Sequence, residues 1–125
     1  MIGYCGASTG SAPGLVAAAR LGDRIGAVVS RGGRPDLAGV AALEAVTGAT
    51  LLIVGGRDLP VIEMNRQAMQ QLRGECRLGI VPGATHLFEE PGTLDEVARL
   101  AREWFLRFLE PVQAHGRVPL RQGAG

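Results

Sequence analysis

A serine stands where a short apolar run has to turn. Gly6-Ala7-Ser8-Thr9-Gly10 follows Met1-Ile2-Gly3-Tyr4-Cys5 and leads into Ser11–Arg20, an Ala-rich stretch that reads as helix. A strand that turns sharply through a serine into a helix brings two backbones close together, and glycines at positions 6 and 10 permit that approach. On such a turn the Ser8 hydroxyl is exposed at the end of the strand, where a nucleophile is needed. The rest of the chain must then supply a base and an acid.

Four short apolar runs each end in a Gly- or Pro-rich loop: Ile2–Cys5, Ile25–Ser30, Thr50–Val54 and Arg77–Val81. Helical patterns lie between and after them. This alternation predicts an α/β fold, with a mostly parallel sheet of about four strands and flanking helices. Leu51-Leu52-Ile53-Val54 suits a strand covered on both faces. The first helix is expected over Thr9–Arg20, distorted at its start by Pro13. A short helix follows near Val40–Val46. A third spans Pro60–Leu72, with Ile62, Met69 and Leu72 as its apolar positions. The last begins at Thr93-Leu94-Asp95-Glu96, which has the pattern of a capping box. Leu94, Val97, Leu100, Ala101, Trp104, Phe105 and Phe108 form its apolar stripe, and Pro111 closes it. Residues 1–110 are expected to form the domain and 111–125 a flexible tail. The chain opens inside a strand, so a preceding segment is expected.

With 125 residues, 46% of them hydrophobic, the chain can build one core. Thirteen basic residues against twelve acidic ones give no electrostatic reason to expect nucleic acid or an anionic membrane as partner. Every basic residue is Arg. A Walker-type phosphate loop and Schiff-base chemistry both need Lys and are excluded. No Gly-x-Gly-x-x-Gly fingerprint is present, and no cofactor is expected. Cys5 and Cys76 lie in apolar runs and read as buried free thiols of a reducing, cytoplasmic compartment. They lack His or Asp companions at metal-ligand spacing, so no metal is expected. No apolar segment is long enough to span a membrane.

Three chemically capable residues follow three different strands: Ser8 the first, Asp58 the third and His86 the fourth. In a parallel sheet those C-terminal ends share one edge, the usual ligand side. Neighbouring strands lie about 4.8 Å apart, so the first and fourth are about 14 Å apart. The loop from Pro82 to His86 can reach about 17 Å and bring the imidazole back over Ser8, with Asp58 beneath it. A serine hydroxyl needs an adjacent base, an imidazole can take and return its proton, and a carboxylate fixes the tautomer. Each residue also has an ordinary alternative. Ser8 and Asp58 could cap helices, and His86 could bond backbone in its loop. Arg31 and Arg34 follow the second strand on the same edge; they read as contacts for an anionic substrate group or as a solvated, salt-bridged loop. Asp36 is a rival acid less well placed beside the histidine strand. Glu89 and Glu90 are expected to serve the positive end of the last helix, and His115 to take no part.

Four motifs in order resemble the C-terminal half of dienelactone-hydrolase-like α/β-hydrolases. They are Gly-Ala-Ser-Thr-Gly, Ser-Arg-Gly-Gly-Arg-Pro-Asp-Leu, Leu-Ile-Val-Gly-Gly-Arg-Asp and Pro-Gly-Ala-Thr-His-Leu-Phe-Glu-Glu-Pro-Gly. The order Ser, Asp, His is the order of that fold. The resemblance covers residues 1–109, and members of this group are often joined to phosphoribosyltransferase domains. It implies a serine carboxylesterase acting on small esters through an acyl-enzyme, with Ser8, Asp58 and His86 as triad and the Thr9 N–H as one oxyanion donor. Dienelactone hydrolases proper carry cysteine where this chain has Ser8. The full domain has about eight strands, and the absent half carries the loop that donates the second oxyanion N–H. Two other readings stand beside the esterase: a hydrolase-like fragment acting as an assembly module, and a nucleotide- or cofactor-binding α/β domain. A strand Ile2–Cys5 without its usual neighbour further predicts a homodimer.

Overall fold

The computed structural model describes residues 2–7 and 10–109; Ser8, Thr9 and the stretch 110–125, with Pro111 and His115, lie outside the described residues. Strand β1 (Ile2–Ala7) is followed by helix α1 (Ser11–Leu21) and a 3₁₀ turn, Gly22–Arg24. Then come β2 (Ile25–Arg31), a 3₁₀ turn at Pro35–Ala38, α2 (Val40–Ala45), β3 (Ala49–Gly55), α3 (Leu59–Met69), β4 (Cys76–Val81) and α4 (Thr93–Leu109). The four strands form one parallel sheet in the order β1-β2-β3-β4. The expected α/β class and strand number are both found.

The period of two along the strands sorts the core into two layers. On one face, Val28 and Leu52 pack with Leu15 and Ala18 of α1, Leu43 of α2, and Ala68 and Leu72 from α3 and its exit. On the other, Ala27, Val29, Leu51 and Ile53 pack with Val97 and Trp104 of α4. Every residue of β3 is buried, as its apolar run requires. Trp104 also anchors α4 by a polar contact: its indole N–H donates to the Ala49 carbonyl at 3.0 Å.

Several local expectations are corrected. The first helix begins at Ser11, so Pro13 falls in its first turn, where an N–H has no intrahelical acceptor to lose. The Thr93 capping box does not form. Thr93 Oγ1 donates to the carbonyls of Phe88 and Glu90, at 2.9 and 2.8 Å, and the Glu96 carboxylate takes Arg99 instead. Within α3 the fully buried positions are Asn65 and Ala68; of the expected apolar positions, Met69 and Leu72 pack with the core and Ile62 is half-buried. Cys5 is exposed and Cys76 half-buried, both as free thiols. No helix of the described residues is long and apolar enough to cross a membrane.

Candidate active site

The C-terminal ends of the strands carry the residues of interest. β1 ends at Ala7, and α1 begins at Ser11. Gly6 is buried there, and a side-chain carbon on it would stand 2.9 Å from the Gly10 carbonyl oxygen. Glycine at position 6 is thus a steric condition for the close approach of the end of β1 to Gly10. Ser8 and Thr9 themselves are not among the described residues.

Asp58 follows β3 and immediately precedes α3. Its side chain caps no backbone N–H of that helix, which removes the ordinary alternative for this residue. The carboxylate lies 2.9 Å from His86 instead, through Oδ2 and the imidazole Nδ1. A carboxylate can only accept, so Nδ1 carries the proton and donates. Asp58 is the better buried of the two, at 15% side-chain exposure against 42% for His86. A sheltered carboxylate beneath a more open imidazole suits an acid that orients and a base that meets substrate.

The loop between β4 and α4 presents His86 and is tied at its base. Glu90 accepts the Thr85 backbone N–H and the Thr85 hydroxyl. Those two bonds hold the Glu90 carboxyl below the usual carboxylate range. The Glu90 carboxylate therefore braces the histidine loop, while its carbonyl accepts the Thr93 N–H at the start of α4. Phe88, two residues after His86, has φ +56° and is buried against the sheet. A bulky residue in that region is a conformational outlier, kept in place by its surroundings.

Arg31, the last residue of β2, and Arg34 beyond it are already engaged. Arg31 lies over the Phe88 ring, 5.7 Å from its centroid. Arg34 makes a two-pronged pair with Asp36, at 3.0 and 2.9 Å, which holds Asp36 below the usual carboxylate range. Asp36 is thereby occupied away from His86. Sequence reasoning passed over Gly32, which has φ +59° and faces the His86 ring and carbonyl, and Asn65, which holds the next residue's carbonyl. The Gly-Gly pair after a strand was the available sign for the first; an Asn amid helical spacing gave none for the second. Among the described residues no group of three His, Cys, Asp or Glu side chains is placed to hold a metal ion.

Comparison with known proteins gives two kinds of neighbour. Two curated Mycobacterium tuberculosis proteins, from strains CDC 1551 and H37Rv, are each 59% identical over 108 residues, covering 86% of this chain and 24% of theirs. Both are provisionally named phosphoribosyl transferases. A crystal structure of dienelactone hydrolase from Anabaena variabilis is 60% identical with a TM-score of 0.82, over 85% of this chain and 49% of that one. A CIB-like hydrolase structure from Thermoplasma acidophilum shares the fold at TM-score 0.66 and 22% identity, over 82% of this chain and 49% of that one. No protein-family model matches. The chain thus spans about a quarter of the curated relatives and about half of the solved hydrolases. With its four parallel strands and flanking helices, it carries the C-terminal part of a dienelactone-hydrolase-like α/β-hydrolase fold.

Proposed function

We propose that this chain is the catalytic part of a serine esterase acting on small carboxylic esters. One observation carries the reading: the hydrogen bond between His86 Nδ1 and Asp58 Oδ2, on the sheet edge where β1 turns into α1. In this reading the Ser8 hydroxyl attacks the ester carbonyl and gives its proton to His86. The Thr9 N–H stabilises the developing oxyanion. His86 then protonates the departing alcohol, leaving an acyl group on Ser8. Water, deprotonated by the same imidazole, attacks the acyl carbonyl, and the imidazolium returns that proton to the Ser8 oxygen as the acid leaves. Asp58 holds the ring and balances its transient charge.

The transferase name borne by the mycobacterial relatives belongs to proteins of which this chain matches only 24%. The matched stretches with those proteins and with dienelactone hydrolase each exceed four-fifths of the chain, so they overlap over most of it. The hydrolase reading is the one that gives Asp58 and His86 a role.

A fluorophosphonate probe tests it. The wild-type chain is expected to be labelled, Ser8→Ala not at all, and His86→Ala at a rate nearly as low as Ser8→Ala, because triad members act as a unit. Wild type should hydrolyse a p-nitrophenyl ester and Ser8→Ala should not. Full labelling of Ser8→Ala would overturn the assignment. A second reading, a hydrolase-like module without turnover of its own, draws on the 49% coverage of the solved dienelactone hydrolase. A folded wild-type chain that resists the probe would favour it.

A further inference from the structure

Two glycines after β2 lie between the histidine loop and the first turn of α1. A side-chain carbon on Gly32 would stand 3.2 Å from the His86 carbonyl oxygen, 3.2 Å from the Phe88 ring and 3.8 Å from His86 Cε1. A side-chain carbon on Gly33 would overlap Ser11, in the first turn of α1, and stand 3.0 Å from Ser30 Oγ. Ser30 and Ser11 are both buried, and the Ser30 hydroxyl donates to Ser11 Oγ at 2.8 Å. The backbone of 32–33 therefore touches the loop that carries His86 on one side and the helix that follows Ser8 on the other.

Asn65 holds that backbone from within the fold. It is fully buried on α3. Its Nδ2 donates to the Gly33 carbonyl at 3.1 Å and to the Val61 carbonyl at 2.8 Å, while Oδ1 has no hydrogen-bond partner among the described residues. Burying an amide with an unmatched acceptor is costly, and an apolar residue would suit this face of α3 better. The bond to Gly33 is what the amide adds beyond its own helix. From the other side, the Gly32 N–H donates to the Ile53 carbonyl at 2.7 Å, so both residues of the pair are tethered.

We propose that Asn65, through the Gly32-Gly33 backbone, sets the separation between the His86 imidazole and the first turn of α1 at Ser11. The proposal rests on the serine-hydrolase reading. Asn65 reaches neither substrate nor reacting atoms and is a positioning residue. Its leverage comes from the steep dependence of proton transfer on geometry: a displacement of about 1 Å costs on the order of 10²-fold in rate.

The test compares Asn65→Leu and Gly32→Ala with Gly22→Ala. Gly22 has φ +56°, close to the +59° of Gly32, but a side-chain carbon on it would have nothing within 4 Å. Gly22→Ala thus places a side chain on a positive-φ backbone without touching the site. Folding is followed by circular dichroism, and kcat and KM with a p-nitrophenyl ester. The His86 Cε1–H cross-peak, assigned in a chain with two histidines by its loss in His86→Gln, reports the ring directly. Asn65→Leu and Gly32→Ala should each lose about 10²-fold in kcat with KM within about twofold of wild type, and should shift the cross-peak. Gly22→Ala should keep both. Folded Asn65→Leu and Gly32→Ala chains with wild-type kcat and an unmoved cross-peak would overturn the proposal, as would an equal loss in Gly22→Ala. If Asn65→Leu does not fold, Gly32→Ala decides. If the wild type resists the fluorophosphonate probe, the esterase reading falls, and the cross-peak alone decides: moved in the folded variants but not in Gly22→Ala, it supports the positioning role, and unmoved it refutes it.

Discussion

Glu90 grips Thr85 with both carboxylate oxygens: Oε1 accepts the backbone N–H at 3.1 Å and Oε2 the hydroxyl at 2.6 Å. Thr85 is the residue before His86, so this pair sets where the imidazole-bearing loop leaves the sheet. The two bonds favour the charged carboxylate and lower its pKa on folding. A carboxylate depressed in the folded state adds stability above its unfolded pKa, about 4.3, and loses it as pH falls through the folded value. Glu90→Gln should therefore melt below wild type at neutral pH, and the gap should narrow as pH falls below the usual carboxylate range. Thermal midpoints of both proteins across that range check this; a constant gap would contradict it.

Trp104 fastens α4 to the sheet from one buried indole N–H to the Ala49 carbonyl. Trp104→Phe keeps an aromatic ring against Phe108, whose centroid lies 4.5 Å away, but loses that buried hydrogen bond. The expected cost is about 1–3 kcal/mol of stability. Activity per folded molecule should be unchanged, since α4 covers the sheet away from the Asp58–His86 pair. Because this is the chain's one tryptophan, denaturation has to be followed by circular dichroism.

The two thiols should react at different rates. Burial raises both above their ordinary value; the Arg31 guanidinium opposes this at Cys5, whereas the Glu75 carboxylate adds to it at Cys76, which is pushed up to about 11. The thiolate is the reactive form, and Cys5 is the exposed one. Iodoacetamide at pH 8 should modify Cys5 first and Cys76 mainly after unfolding. Peptide mapping reads the order, and equal rates in the folded chain would contradict it.

Self-association is expected at β1. This strand ends the sheet, and Gly3 and Cys5 are exposed on it. An open edge is a template for pairing, and a two-fold axis would let two copies close each other's edges. Light scattering at micromolar concentration should give a dimer mass, shifted towards monomer by a charged residue at position 5. A monomer at all concentrations would rule the arrangement out.

Period and punctuation alone determined the architecture. Four apolar runs separated by helical spacing and Gly/Pro loops specify four parallel strands, because β strands bury alternate residues and parallel neighbours need crossovers. The same logic put Asp58 and His86 past neighbouring strand ends, where side chains prove to lie 2.9 Å apart. Local pattern misled where a side chain had a choice of partners. Thr93 had the spacing of a capping box but donates to the carbonyls of Phe88 and Glu90, and Glu90 turned to Thr85. Pro13 was harmless because the helix starts two residues later than periodicity suggested. Cys5 sits in an apolar run yet is exposed, since its burial depends on what lies beside and above β1. Asn65 and Gly32 became visible only once distant segments were packed together. Periodicity describes one element's faces; a hydrogen bond from α3 to the loop after β2, or a glycine pressed against His86, depends on which elements meet and at what distance.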